Sequence, residues 1–451
     1  MSDYVIVGAG SAGCALAAGL SAAGAQVTVL ESGPPDQRPE VRVPTAFPRL
    51  FGTDYDWAYT TAPQAGLAGR ELFWPRGRTL GGSSAINAQI WTRGMPGDYD
   101  DWDAPGWTDA DLEPYFKNAE QGPVRLEPLR SPHPSTACFL AACAGQTWPG
   151  GYGPALVTQY RGRRWSAADA YLRPALRRPN LTVETGADVQ RVLLSHGRAA
   201  GVSYRAADGT QRMAAARREV ILAAGAVGSP VLLMRSGVGA GLPVPLTEVG
   251  RNLQDHLVVP LAFGPGTRAE RVRASSNNAE ALAFSSDLEF LWMPVPFLDH
   301  GRGQQGLGCT LAVVLLRPAS AGRITLAGAT PVIDPAYLSG PADLQTLLAG
   351  VRMAHHLLAQ AALADWTGAP LTPAASDATD HAIRATAETL YHPVGTCRMG
   401  PVVDARLRVH GVDGLRVADL SVCPVIPRAH TQAAATVIGA RAADLILEEA
   451  A

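Results

Sequence analysis

The sequence predicts an α/β fold in two domains, α+β overall: a Rossmann-like domain joined to a second domain built on an antiparallel sheet flanked by helices. Three observations predict it. Residues 4–31, YVIVGAGSAGCALAAGLSAAGAQVTVLE, read as strand, glycine turn, helix and second strand. Residues 258–350 change to alternating β segments, notably 309–316 and 322–326, with helical stretches at 343–359 and 377–386. At 451 residues the chain exceeds what one hydrophobic core usually supports.

The first unit carries the most chemistry. After the apolar run 4–7, Gly8, Gly10 and Gly13 give the spacing G-x-G-x-x-G. Gly8 permits a tight turn, Gly10 lets a pyrophosphate approach the backbone, and Gly13 lets helix and strand pack closely. Small residues over 12–23 continue as a helix that Gly24 can end, and its N-terminus offers free N–H groups and a positive dipole end to phosphates. Glu31 closes the second strand, where a carboxylate accepts hydrogen bonds from a ribose and argues against a 2′-phosphate. The complete unit implies a bound dinucleotide and leaves NAD and FAD as alternatives.

Bulk properties narrow the class. Hydrophobic residues make up 47% and charged residues 17%, with 47 Gly and 35 Pro, a composition of many turns that suits an enzyme with a glycine-dependent cofactor site. The net charge of −2, without a long basic stretch, excludes nucleic acid as the expected partner. No apolar run is long enough for a membrane span, and a first strand beginning at Tyr4 leaves no room for a signal peptide, so a cytoplasmic chain is expected. Six scattered cysteines form no C-x-x-C pair and read as ordinary thiols. The adjacent His355 and His356 splay apart on a helix, with no third ligand at metal spacing, so no metal is expected.

Farther along, residues 32–70 read as irregular connection, and 77–94 as a glycine loop in which Gly81 and Gly82 allow close backbone approach while Ser83, Ser84 and Asn87 offer hydrogen bonds. An amphipathic helix follows over 107–119. Arg161, Arg163, Arg164 and Trp165 read as a solvated loop before a helix at 167–176. Segments 181–184, 190–194 and 200–204 read as a β-meander, 219–223 as a buried strand, 225–239 as an apolar helix with its glycine stop, 415–418 as a strand and 432–447 as the final helix.

Six stretches in order resemble the glucose–methanol–choline (GMC) oxidoreductases, FAD-dependent enzymes that mostly oxidise alcohols. They are GAGSAG at 8–13 with Glu31, GRTLGGSSAIN at 77–87, AAGAVGSPVLLMRSGVG at 223–239, VGRNLQDH at 249–256, HPVGTCRMG at 392–400 and the C-terminal VADLSVCPVIPRAHTQAA. The resemblance decides for FAD. It implies that Gly8, Gly10, Ser11, Ala12 and Gly13 hold the pyrophosphate, and that Glu31 with Ser32 holds the adenosine ribose. Leu80, Gly82, Ser83, Asn87, Ala88 and Ile90 match the segment along the isoalloxazine, Val189 the main-chain contact to adenine, and Asp419 the acid near the pyrophosphate and ribityl chain. Thr431 would cap the last helix, so that its N-terminus, with Gln432, faces the flavin pyrimidine edge. Members with histidine-linked flavin carry that histidine where Ile86 stands here, so non-covalent FAD is expected. The implied division is 1–120, 181–257 and 405–451 for the FAD-binding domain, and 121–180 and 258–404 for the substrate domain.

The same resemblance places His392 and His430 as the catalytic pair for a small-molecule alcohol, with dioxygen or another acceptor. They stand 38 positions apart, so only the fold can bring them together. His392 would take the hydroxyl proton while a hydride passes to flavin N5, and His430 would hold the same oxygen. His256, beside Asp255, is expected to make a structural contact at the domain junction, and Asp334, Tyr391 and Cys397 to be scaffold. A flavin-containing hydroxynitrile lyase is the alternative on the same fold. The stretches at 240–248 and 120–160 are short for the family, which leaves two alternatives: a cleft open to a bulky alcohol, or a trimmed scaffold with unchanged specificity.

Overall fold

The computed structural model describes residues 1–302 and 306–450. Strands β1 (Ser2–Val7) and β2 (Val27–Glu31) pair in parallel, Tyr4 opposite Val27 through Val7 opposite Leu30, with helix α1 (Ser11–Ala22) between them in sequence. Their inner residues are almost wholly buried. That burial explains the nearly unbroken apolar runs, since a covered parallel sheet meets no water on either face.

The sheet grows outward from this pair. Strand β3 (Leu181–Thr185) lies parallel to β2. On the other side, β4 (Asp188–Ser195) and β5 (Arg198–Arg205) are antiparallel and lead into the long β6 (Gln211–Leu222). The last residues of β6 run parallel to β1 and to β11 (Leu415–Val417), the strand that precedes the final helix. The expected meander is therefore corrected at its first member: residues 181–184 pair with β2, and the meander is β4–β5–β6. Helix α2 (Gly225–Arg235) leaves the end of β6.

A second sheet is antiparallel. Its central order is β7 (Leu257–Pro265), β10 (Cys309–Leu315), β9 (Leu288–Met293) and β8 (Ala281–Phe284), flanked by Thr367–Pro370 beside β7 and Tyr152–Pro154 beside β8. Alternation along each strand divides its side chains between two buried faces. Leu257, Val259 and Leu261, with Leu311, Val313, Phe290 and Trp292, join helix α3 (Pro341–Leu358) in one core. Val258, Leu291, Met293, Ala312 and Val314 form another cluster on the opposite face.

Two other expectations change. Residues 32–70 hold a short helix (Pro39–Arg42), a 3-10 turn (Pro44–Leu50) and a strand (Tyr59–Thr60) paired with Phe73–Trp74. The helix expected at 167–176 is a π-helical turn (Ala168–Leu172) running into Arg173–Ala175. All six cysteines are free thiols, and no described helix is long and apolar enough to cross a membrane.

The final helix α4 (Gln432–Ala450) crosses α1 at small residues. A Cβ on Gly439 would fall 2.1 Å from the Ala12 carbonyl oxygen. Gly439→Ala is expected to destabilise the protein by roughly 1–3 kcal/mol through overpacking. Chemical denaturation measures this, and an unchanged midpoint would show that the two helices do not pack at this spacing.

Candidate active site

The two sheets meet around a cavity of about 670 Å³ that runs from the β1–α1 turn and Val189 to His392 and His430. At its first end, Gly8 has φ +103°, and a Cβ on Gly13 would lie 2.0 Å from the Gly8 oxygen, so turn and helix touch through backbone alone. Gly10 begins α1 without a side-chain cap, and no acid sits in the first turn. The free N–H groups there are thus left for an anion, beside cavity-lining Gly10, Ser11 and Ala12.

Glu31 closes this end. Its carboxylate accepts from the Ala9 and Gly33 N–H groups, both at 2.9 Å, and burial raises its pKa. The 77–90 segment lies over the turn so closely that a Cβ on Gly82 would meet Gly10 Cα at 2.7 Å. Asn87 then ties this segment to the start of α4, donating to Gln432 Oε1 at 2.6 Å. An elongated cavity with an uncapped helix N-terminus at one end fits a dinucleotide such as FAD.

At the other end three histidines cluster. Residues 254–256 and 390–394 run antiparallel: Val394 N–H donates to the Gln254 carbonyl at 2.9 Å and Leu390 N–H to that of His256 at 2.8 Å. Gln254 and Asn252 also donate to the Pro424 carbonyl, each at 3.0 Å, which brings in the stretch leading to His430. Asp255 accepts from the His392 N–H at 2.7 Å, from Thr389 Oγ1 at 2.6 Å and from the Tyr337 hydroxyl. Burial lifts its pKa to about 6, against these hydrogen bonds. Tyr391, with the left-handed φ of +68°, is held from both sides: its N–H donates to Thr389 Oγ1 at 2.8 Å and its carbonyl accepts from Arg76. The His392 backbone is therefore fixed before its ring makes any contact.

The ring contacts assign the protons. His256 Nε2 lies 3.0 Å from the Leu316 carbonyl oxygen, which only accepts, so Nε2 carries the hydrogen. Burial, then the charge of His430, depresses the His256 pKa to about 3, so its Nδ1 is a bare acceptor. His392 Nδ1, 2.9 Å away, must donate to it. Neutral His392 is left with its lone pair on Nε2, the nitrogen without a hydrogen-bond partner among the described residues, on a side chain that lines the cavity. The His430 ring meets that of His392 edge to face, centroids 5.1 Å apart at 85°. Its Nε2 donates to Glu289 Oε1 at 2.9 Å, which leaves Nδ1.

Known proteins share the sequence pattern and the fold. The family signatures described as GMC oxidoreductase match residues 2–258 and 318–439. The chain is a GMC oxidoreductase. The alcohol dehydrogenase [acceptor] of Pseudomonas putida is 36% identical over 530 aligned positions, covering 100% of this chain and 96% of the relative. That alignment is longer than the 451 residues here, so the relative carries insertions that this chain lacks. The solved pyridoxine 4-oxidase from Mesorbium loti superposes with a TM-score of 0.91 at 30% identity, over 99% of each chain. A formate oxidase of Aspergillus oryzae RIB40, studied for FAD modification, gives 0.89 at 25% identity, over 99% and 98%.

In this GMC chain, every residue expected at the cofactor or the reaction lines this cavity except Gly13 and Leu80. Gly13 packs against the turn. Leu80 is half-buried against the core of the first sheet and does not line the cavity. Asp419 lines the cavity, while its carboxylate accepts from the Gly225 N–H at 2.9 Å and the Ser229 hydroxyl at 2.5 Å, at the start of α2. Thr431 begins α4 through its carbonyl, which accepts from the Ala435 N–H at 3.0 Å.

Three residues carry more than the sequence reading gave them. Arg164, expected in a solvated loop, is fully buried and donates to the carbonyls of Val41 and Ser84 and to Asn87 Oδ1; burial lowers its pKa to about 9. His256, expected to be structural, touches the His392 ring directly. Glu289, not singled out at all, underlies His430. An acid in the otherwise apolar stretch Leu288–Met293 was the available signal.

Burial, then the charge of His430, holds His392 well below its ordinary pKa. A base so depressed is deprotonated at any pH above that low value and is lost only as the pH falls through it. The kcat/KM profile is therefore expected to show no loss from His392 between pH 8 and about 6.5, the ordinary histidine value. A loss centred at or above 6.5 that disappears with His392 would contradict the geometry.

Proposed function

We propose that the protein oxidises an alcohol to the carbonyl compound with non-covalently held FAD, His392 acting as base and His430 holding the alcohol oxygen. The observation that carries this reading is the meeting of two imidazoles at one cavity, each with one nitrogen engaged by the protein and the other left for a ligand. His392 Nε2 accepts the hydroxyl proton. His430 in its protonated form donates from Nε2 to Glu289 and from Nδ1 to the oxygen as negative charge develops there, which fixes the carbinol carbon. When bound, the flavin supplies a two-electron acceptor for the hydride leaving that carbon, and dioxygen or another oxidant restores it.

Ile86 supports the non-covalent reading. It is buried with Phe47, Phe51 and Ala85, and its hydrocarbon side chain offers no atom for a flavin bond.

His392→Ala is expected to keep its flavin and to slow anaerobic flavin reduction by roughly 10²-fold or more. Acid precipitation of the parent enzyme is expected to release all yellow colour into the supernatant. Reduction of the variant at the parent's rate would refute the base, a yellow pellet the mode of attachment, and an alcohol-insensitive flavin the oxidation itself.

A further inference from the structure

The walls of the cavity in front of the two imidazoles define what body the alcohol has. Strand alternation turns Val258 and Pro260 of β7, Leu291 and Met293 of β9, and Ala312 of β10 toward it. Pro260 opposes Ala312, and Ala312 opposes Leu291, so three neighbouring strands present one continuous aliphatic row. A second wall is aromatic. Phe47 packs edge-on to Phe51 at 5.9 Å and lies 6.3 Å from Phe297, while Phe51 lies 5.7 Å from Tyr391, centroid to centroid.

Of the charged side chains near these walls, Arg76 lines the cavity and is held by donating to the Tyr391 carbonyl. Glu289 shares the strand face of Leu291, yet it is fully buried, bonded to His430, and its second oxygen is inaccessible. Asp299 and Glu388 line the outer part of the cavity, with the exposed Pro373 and Ala385. Glu388 there lies 3.0 Å from Nε2 of His300, an imidazole whose pKa burial lowers to about 4, and 3.7 Å from the Arg70 guanidinium.

We propose that the substrate is an alcohol with a hydrocarbon body, alkyl or aryl, and without a cationic or polyhydroxylated head. This rests on the alcohol-oxidising reading of the same cavity. Every methylene that leaves water for the aliphatic row is worth roughly fourfold in affinity. An ammonium or sugar hydroxyl placed there loses its hydration and finds no partner.

The test uses the purified holoenzyme and two readouts. One is anaerobic flavin reduction by straight-chain alcohols from 1-propanol to 1-octanol, benzyl alcohol, choline and glucose. The other is calorimetric binding of 2-methyl-2-octanol, a tertiary alcohol with no carbinol hydrogen to lose. Reduction efficiency is expected to rise roughly fourfold per methylene until the chamber is filled. Benzyl alcohol should react, choline and glucose should fall about 100-fold or more below 1-hexanol, and the tertiary alcohol should bind.

Ala312→Phe, which fills the middle of the row, should lower the octanol-to-propanol preference about tenfold; an unchanged preference overturns the placement of the body on this row. Choline or glucose reacting as well as 1-hexanol, or no binding of the tertiary alcohol, overturns the hydrocarbon assignment and leaves alcohol oxidation standing. No reduction by any alcohol overturns both. If Ala312→Phe fails to fold, the parent series alone decides.

Discussion

A carbonyl oxygen, that of Leu316, determines which nitrogen of His392 is free to act as a base. It takes the Nε2 hydrogen of His256, so His256 presents a bare Nδ1, and His392 must turn its own Nδ1–H toward it. Neither imidazole can change tautomer alone without leaving a donor facing a donor or an acceptor facing an acceptor. An unmade buried hydrogen bond costs about 1–3 kcal/mol, enough to make one arrangement dominate. The protein thus sets the direction of proton transfer by hydrogen-bond polarity.

This relay depends on the junction between the sheets. His256 immediately precedes β7, Leu316 immediately follows β10, and the two strands pair directly. His392 joins them because residues 390–394 run antiparallel to 254–256, with Asp255 gripping the His392 backbone. The same strands also build the cavity, since alternate residues of β7, β9 and β10 pack against α3 on one face and line the chamber on the other. Reaction centre and substrate wall therefore share one rigid support, and a shift in sheet register would move both.

Much of the first sheet was legible because its signals are local. The glycine turn, the small-residue helix and the acid closing β2 lie within about thirty residues, and each has a steric or electrostatic reason to be where it is. Pairing partners were not legible. Residues 181–184 look like any short strand, and nothing in them says that they join β2 instead of β4. Arg164 reads as surface because arginine usually is; only the fold surrounds its guanidinium with the Val41 and Ser84 carbonyls and Asn87. His256 and Glu289 were obscured for the same reason. Each acquires its role from a partner more than a hundred positions away.

The direct measurement is of the protons themselves. With the histidines labelled with nitrogen-15, NMR at neutral pH reports for each ring which nitrogen is protonated. The account predicts a neutral His392 with hydrogen on Nδ1 and a bare Nε2, and a neutral His256 with hydrogen on Nε2. A His392 protonated on Nε2 alone, or on both nitrogens at that pH, would contradict it.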